Sequence, residues 1–200
     1  MDVMAWRHPK PLAMAGRCIG RTDVPVDRRK AKRLAHRIRQ WARRHRAPHV
    51  VVTSPLQRAA CVGRCLAGWG WRHRVDGRLI ELDFGRWDGQ AWDEIGADAV
   101  EAWCADFMQH APGGGESVRE LLRRCREFLD GQAGTDAAVC VVGHAGWISA
   151  GLWLVASPTA APTPADWPPS VAYGRLVALS TGASQAAVHE ARDEPPDARR

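Results

Sequence analysis

The segment AAVCVVGHAG (residues 137–146) carries the strongest indication of the fold, because an apolar run passes directly into a histidine with glycines close on both sides. A short apolar run without polar alternation is typical of a strand buried on both faces. Gly143 and Gly146 indicate a tight turn around His144, and the residues that follow have helical spacing. The segment therefore predicts a strand, a histidine at its exit, and a helix that starts there.

The first residues, MDVMAWRH (1–8), show the same arrangement at the start of the chain. A short apolar run ends at Arg7 and His8, and Pro9 follows. The carboxyl ends of parallel strands meet at one edge of a sheet, which is where open α/β proteins bind ligands. We therefore expect His8 and His144 to belong to one site.

Strands and helices alternate along the rest of the chain. Strands are predicted at 1–6, 50–52, 138–142 and 171–180, and helices at 28–46, 91–109, 116–131 and 145–155, with one more beginning at Ser54-Pro55. This alternation favours an α/β fold with a doubly wound, mostly parallel sheet. We expect one domain over residues 1–190 and a flexible tail at 191–200.

Composition limits the classes of function. The chain has 200 residues, a net charge of +6 and six cysteines without a CxxC pair. We expect reduced thiols and no metal or other cofactor. Without a signal-peptide pattern or a long apolar run, we expect a cytoplasmic protein that does not contact membranes. The positive charge is compatible with an anionic substrate.

Arg7, His8, Arg58 and His144 suit phosphoryl transfer if they converge at the sheet edge. Guanidinium groups bind phosphoryl oxygens, and a neutral imidazole can attack phosphorus. The leaving alkoxide needs a proton, and Glu81 is our candidate for that general acid. Asp83, Asp88 and Asp93 lie near Glu81 in the sequence and are alternatives.

The segment 28–46 carries ten basic residues around an apolar stripe at positions 31, 34, 35, 38, 41 and 42. A basic helix face can neutralise nucleic-acid phosphates. No exposed aromatic residues interleave with these arginines and no nucleic-acid motif accompanies them, so we interpret the segment as a solvated helix face.

Several motifs occur in the order found in one known family. They are RH at 7–8, GRTDVP at 20–25, SPLQRA at 54–59, ELDFG at 81–85 with WDG at 87–89, GGES at 114–117 and VGHAG at 142–146. Through them the chain resembles the histidine phosphatase superfamily, the phosphoglycerate mutase-like group. Within that group, the segment 20–25 and the compact length look most like α-ribazole phosphatases.

The resemblance implies a three-layer α/β sandwich with a mostly parallel central sheet. It implies that His8 accepts the phosphoryl group, that Arg7, Arg58 and His144 form the phosphate pocket, and that Glu81 donates the proton. The family's usual glycine after the first histidine is Pro9 here, and Lys10-Pro11-Leu12-Ala13 replaces its usual threonine and asparagine. We expect Arg21, Thr22 or Lys10 to supply the missing substrate contacts.

The resulting hypothesis is a metal-independent phosphatase, monomeric or homodimeric, that acts on a small phosphorylated metabolite such as α-ribazole 5′-phosphate. A phosphotransferase of the phosphoglycerate mutase type is one alternative. The other is a non-catalytic protein of this fold that binds phosphate or nucleic acid, with Pro9 as the mark of a lost active site.

Overall fold

The computed structural model describes residues 2–12, 14–132, 134 and 137–180. The predicted domain boundary at 190 and the predicted tail at 191–200 lie outside these residues. The helices and strands are β1 (Asp2–Arg7), α1 (Arg28–Arg44), β2 (Val50–Thr53), α2 (Gln57–Ala67), β3 (Arg72–Val75), α3 (Trp92–Ile95), α4 (Ala97–Ala105), α5 (Val118–Asp130), β4 (Val139–Gly143), α6 (Ala145–Ala156) and β5 (Leu176–Ser180).

The strands form one sheet in the order β3-β2-β4-β1-β5. All neighbouring pairs are parallel except β1 and β5, which are antiparallel. The buried strand β4 lies between β2 and β1, so the carboxyl ends of these three strands lie side by side. The predicted α/β class with a mostly parallel sheet is confirmed.

Side-chain alternation along the strands divides the core between the two faces of the sheet. Val3, Ala5 and Val141 pack into the core formed with α5 and α6. Trp6 and Val142 pack on the opposite face into the core formed with α1 and α2. Helices on both faces give the three layers that the family resemblance implied.

Helix α1 has the amphipathic form that its sequence predicted. Its buried residues are Ala31, Leu34, Ala35, Ile38 and Ala42, while its arginines are exposed. Trp41 is half-buried and packs edge-on against Trp6, with ring centroids 5.6 Å apart.

Several predicted boundaries were wrong. The helix predicted over 91–109 is divided at Gly96, whose φ of 82° is a left-handed conformation that ends α3. Strand β3 was not predicted because its charged RHRV sequence shows no apolar run, a composition that an edge strand tolerates. The late strand begins only at Leu176.

The start of α2 also differs from the expectation. The predicted N-cap, Ser54, accepts a hydrogen bond from the backbone N–H of Leu56, and the helix begins at Gln57 without a side-chain cap. Arg58 nevertheless lies in the first turn of the helix, as predicted.

Among the residues that the structure describes, no helix combines the length and the apolar character that a membrane span requires.

Candidate active site

The two histidines meet because β1 and β4 pair in register. Arg7 is opposite Gly143 in the parallel ladder, so the next residue of each strand is a histidine. The backbone N–H of His8 donates to the carbonyl of Gly143 over 3.0 Å. The two imidazole ring centroids lie 5.0 Å apart. The structure thus places both predicted histidines in one site at the sheet edge.

His8 is held as a neutral imidazole with a defined tautomer. Its side chain is buried, and its Nδ1 lies 2.7 Å from the carbonyl oxygen of Pro9. A carbonyl can only accept, so Nδ1 carries the proton and Nε2 keeps its lone pair. Burial, together with the positive charge of Arg58, lowers the pKa of His8 to about 3. At neutral pH, Nε2 of His8 is therefore a free nucleophile.

His144 has the opposite tautomer. It is fully buried, and Nε of Arg58 donates to its Nδ1 over 3.2 Å. Its Nε2 therefore carries the proton, and this atom is buried with no partner among the residues that the structure describes. Burial, reinforced by the nearby His8, lowers the pKa of His144 well below its usual value. His144 can donate a hydrogen bond to an oxyanion that lies between the two rings.

Arg58 is a buried cation whose orientation is fixed by backbone carbonyls. Its side chain projects from the first turn of α2 and donates to the carbonyls of Gly20 and Thr22. Asp88 holds that turn by accepting from the backbone N–H groups of Gly20 and Thr22. Burial lowers the pKa of Arg58, and the negative charges of Glu81 and Asp88 oppose that shift. An arginine remains protonated under these conditions.

Arg7 contributes a second guanidinium, which the segment 170–173 holds in place. Its Nη1 donates to Oγ of Ser170 over 3.0 Å and to the carbonyl of Val171 over 2.6 Å. The ring of Tyr173 lies 3.8 Å from the guanidinium carbon, within the range of a cation–π contact. Nε of Arg7 is buried and has no partner in the described part of the chain. That N–H is available to an anion.

Glu81 lies beside the start of α6. Its carboxylate accepts from the backbone N–H of Leu82 over 3.0 Å and from that of Gly146 over 3.2 Å. Arg124 of α5 fixes the preceding backbone by donating to the carbonyls of Arg78, Ile80 and Glu81. Glu116 accepts from Arg124 in turn.

The alternative acids have other partners or positions. Asp88 binds the backbone turn that holds Arg58. Asp83 accepts from the backbone N–H of Gly85 and forms an ion pair with Arg21. Asp93 is exposed in the first turn of α3. Among these carboxylates, Glu81 is the one that contacts the helix opened by His144.

The predicted substrate ligands Arg21 and Thr22 belong to the backbone turn that holds Arg58. The Arg21 side chain pairs with Asp83 at 3.2 Å and Glu116 at 3.6 Å. Thr22 is exposed, and its carbonyl supports Arg58. Lys10 lines a cavity next to the site together with Arg7 and Glu81. A role for Arg21 and Thr22 in substrate binding stays a prediction.

Sequence reasoning missed two residues that shape the site. Arg124 lies three residues after Leu121 and four before Phe128, on the buried side of α5. Nothing in its neighbourhood along the chain indicated a contact with residues 78–81. Tyr173 lies 5.5 Å from the His8 ring, centroid to centroid, and precedes β5 in a segment that the sequence wrongly assigned to the strand 171–180. Over the described residues, no group of three or more His, Cys, Asp or Glu side chains is placed to hold a metal ion.

Comparison with known proteins gave one matching family. The model of the histidine phosphatase superfamily (branch 1) matches residues 3–193. A glucosyl-3-phosphoglycerate phosphatase of Mycolicibacterium vanbaalenii is 34% identical over 119 residues, and the match covers 52% of this chain and 52% of that protein. The bifunctional protein Rv2228c of Mycobacterium tuberculosis is 39% identical over 105 residues, 47% of this chain and 27% of that protein. The matches thus span about half of the first relative and less of the second.

Solved structures show the same fold. The native structure of the mycobacterial glucosyl-3-phosphoglycerate phosphatase Rv2419c superposes with a TM-score of 0.72 at 26% identity, covering 90% of this chain and 89% of that one. The protein TTHB049 from Thermus thermophilus superposes with a TM-score of 0.65 at 26% identity, covering 89% of this chain and 92% of that one.

The buried neutral state of His8 predicts that acid destabilises the protein. In the unfolded chain this side chain binds a proton near pH 6.5, whereas in the folded protein its pKa is about 3. The stabilising contribution is therefore fully present above pH 6.5 and is lost as the pH falls. Between pH 8 and pH 5 the free energy of unfolding should fall by about 2 kcal/mol more in wild type than in His8→Gln, which cannot titrate.

Urea denaturation of both proteins at several pH values measures this difference. Parallel pH dependences for wild type and His8→Gln would contradict a neutral, buried His8.

Proposed function

The chain belongs to the histidine phosphatase superfamily (branch 1), and from that premise we propose that it hydrolyses a small phosphate monoester through a phosphohistidine on His8. The observation that carries the proposal is the pair of buried neutral imidazoles with opposite tautomers. One ring presents a lone pair at Nε2, and the other presents an N–H at Nε2. This arrangement combines a nucleophile for phosphorus with a hydrogen-bond donor for the negatively charged phosphoryl oxygens.

In the first step, Nε2 of His8 attacks phosphorus and forms the P–N bond while the bond from phosphorus to the ester oxygen breaks. Glu81, which is protonated when the ester is bound, donates its proton to the departing oxygen, which leaves as an alcohol. The carbonyl of Pro9 continues to accept from Nδ1 and stabilises the positive charge that develops on the ring. The replacement of the usual glycine by Pro9 leaves this carbonyl in place.

In the second step, a water molecule attacks the phosphorus of phospho-His8. Glu81, now a carboxylate, accepts the proton of that water, and the P–N bond breaks with its electron pair returning to Nε2. Inorganic phosphate leaves and His8 is neutral again. Glu81 thus regains the proton that it gave in the first step.

Hydrogen-bond donors of the protein stabilise the negative charge on the phosphoryl oxygens. Arg7 and Arg58 are cations with N–H groups to spare, and His144 adds a neutral N–H. Phosphoryl transfer needs mainly positioning and charge stabilisation, and this set supplies both. The proposal is therefore a metal-independent reaction.

The contacts described above limit the identity of the substrate less than they limit the type of reaction. The segment 20–25 suggested α-ribazole 5′-phosphate, yet in this structure its carbonyls position Arg58, a task that is independent of the leaving group. Two of the similar proteins are named for glucosyl-3-phosphoglycerate. Both esters belong in the substrate comparison, with 3-phosphoglycerate included to detect the mutase alternative.

Hydrolysis of p-nitrophenyl phosphate in the presence of EDTA tests the proposal. We expect turnover by wild type and a loss on the order of a thousandfold or more in His8→Ala. His45→Ala is the matched control because His45 is exposed at the end of α1. Activity that EDTA abolishes would refute metal independence, and activity retained by His8→Ala would exclude His8 as the nucleophile. A folded wild type that turns over no ester would favour the non-catalytic binding protein.

Gly146 provides a separate test of Glu81 as the acid. A methyl group on Gly146 would lie 2.7 Å from Oε1 of Glu81, whereas one on Gly143 would make an ordinary 3.5 Å contact with Trp147. Gly146→Ala should therefore displace the carboxylate and lower kcat about tenfold or more for an alkyl phosphate. The loss should be smaller for p-nitrophenyl phosphate, whose leaving group needs no proton.

Steady-state kinetics of Gly146→Ala and Gly143→Ala on both esters check this expectation. Equal losses on the two esters, or equal losses in the two variants, would contradict the role of Glu81 as proton donor.

A further inference from the structure

A cavity of about 630 Å³ opens beside the reacting groups. Arg7, Glu81 and Gly146 are among its lining residues, whereas His8, Arg58 and His144 are not. The phosphoryl site therefore adjoins the cavity through Arg7 and Glu81. Since Glu81 gives its proton to the departing oxygen, the leaving group has to lie on the side of Glu81, which is the side of the cavity.

Aromatic side chains form much of the cavity wall. They come from the loop before α3, from α3 and α4, from the turn after α4 and from the loop before β5, and they are Phe84, Trp92, Trp103, Phe107, Trp167 and Tyr173. Four of these rings form a chain of contacts, Phe84 to Trp103 at 5.9 Å, Trp103 to Phe107 at 5.6 Å and Phe107 to Trp167 at 5.6 Å. Such a chain fixes the wall before any ligand binds.

This wall remains open to a ligand. Trp92 packs edge-on against Phe84 and is still 42% exposed. Nε1 of Trp103 is buried without a hydrogen-bond partner in the described residues. Lys10 and Arg17 line the cavity as well, and within the described part of the chain Glu81 is the one carboxylate among its lining residues. The cavity thus combines apolar ring faces with a positive edge.

We propose that this cavity binds a leaving group that carries a ring with an apolar face, so that ring-bearing phosphate monoesters are the substrate class of this site. The inference rests on the proposed phosphatase function. A three-carbon leaving group would leave most of the aromatic wall in water. A ring removes that apolar surface from water and packs against the indoles, which stabilises the bound ester.

The chemistry fits either a flat aromatic ring or the apolar face of a saturated ring such as a sugar. Three synthetic esters distinguish an aromatic ring from a saturated one: n-propyl, 2-phenylethyl and 2-cyclohexylethyl phosphate. All three release a primary alcohol, so their leaving oxygens have similar basicity. Differences in kcat/KM therefore report on the ring.

We expect wild type to favour both ring esters over propyl phosphate by about tenfold or more, the scale of a buried apolar group in a specific pocket. A higher value for the phenyl ester would identify a flat ring as the natural occupant, and a higher value for the cyclohexyl ester would identify a saturated one. Equal values for all three esters would overturn the inference and leave the phosphatase proposal intact. No turnover of any ester, p-nitrophenyl phosphate included, would refute the function itself.

Substitutions in the aromatic wall test whether the preference for ring esters arises in this cavity. Trp92→Ala and Trp167→Ala should each reduce the preference for ring esters severalfold while kcat/KM for propyl phosphate changes little. Trp69→Ala is the matched control, because Trp69 is partly buried in the core on the opposite face of the sheet. A ring preference that survives both cavity variants, or that falls equally in the control, would overturn the assignment.

Discussion

The parallel pairing of β1 with β4 is the constraint on which the site depends. It sets Arg7 opposite Gly143, and each strand then ends in a histidine. A slip of one residue would reverse the face of every side chain on the strand and bury the polar edge in the core. Trp6 packs on one face of β1 and the smaller Val3 and Ala5 pack on the other, so the slip would exchange side chains of unlike size and disrupt both cores. The same contacts that stabilise the core therefore bring the two imidazoles within 5.0 Å of each other.

Arg58 sets the protonation of the two neighbouring imidazoles. By donating to Nδ1 of His144 it determines which nitrogen of that ring carries the proton, and its charge helps to keep His8 neutral. A buried guanidinium is costly unless its donors are paired. The carbonyls of Gly20 and Thr22 each accept from one of its terminal nitrogens, and Asp88 holds those carbonyls in position. The loop after β1 thus contributes to the electrostatics of the site by holding Arg58, even where the loop does not face the cavity.

The features that the sequence predicted are those with a local signal. Apolar runs marked β1, β2 and β4, and the residues directly after them predicted the positions of His8 and His144. The position of Arg58 followed from its place just after Ser54-Pro55. The contacts of Arg124 with residues 78–81 and of Tyr173 with Arg7 join segments far apart in the chain, so no local pattern encodes them. The charged strand β3 forms because β2 offers it an edge, which its own composition does not reveal.

The identity of the phosphorylated atom is the direct test of the proposed mechanism. Wild type is quenched in base during turnover of a phosphate ester, and ³¹P NMR with peptide mass spectrometry then identifies the phosphorylated atom. We expect phosphate on Nε2 of His8, because Nδ1 of that ring donates to Pro9 and both nitrogens of His144 are assigned to other roles. Phosphate on Nδ1 of His8, phosphate on His144, or turnover without any phosphohistidine would contradict it.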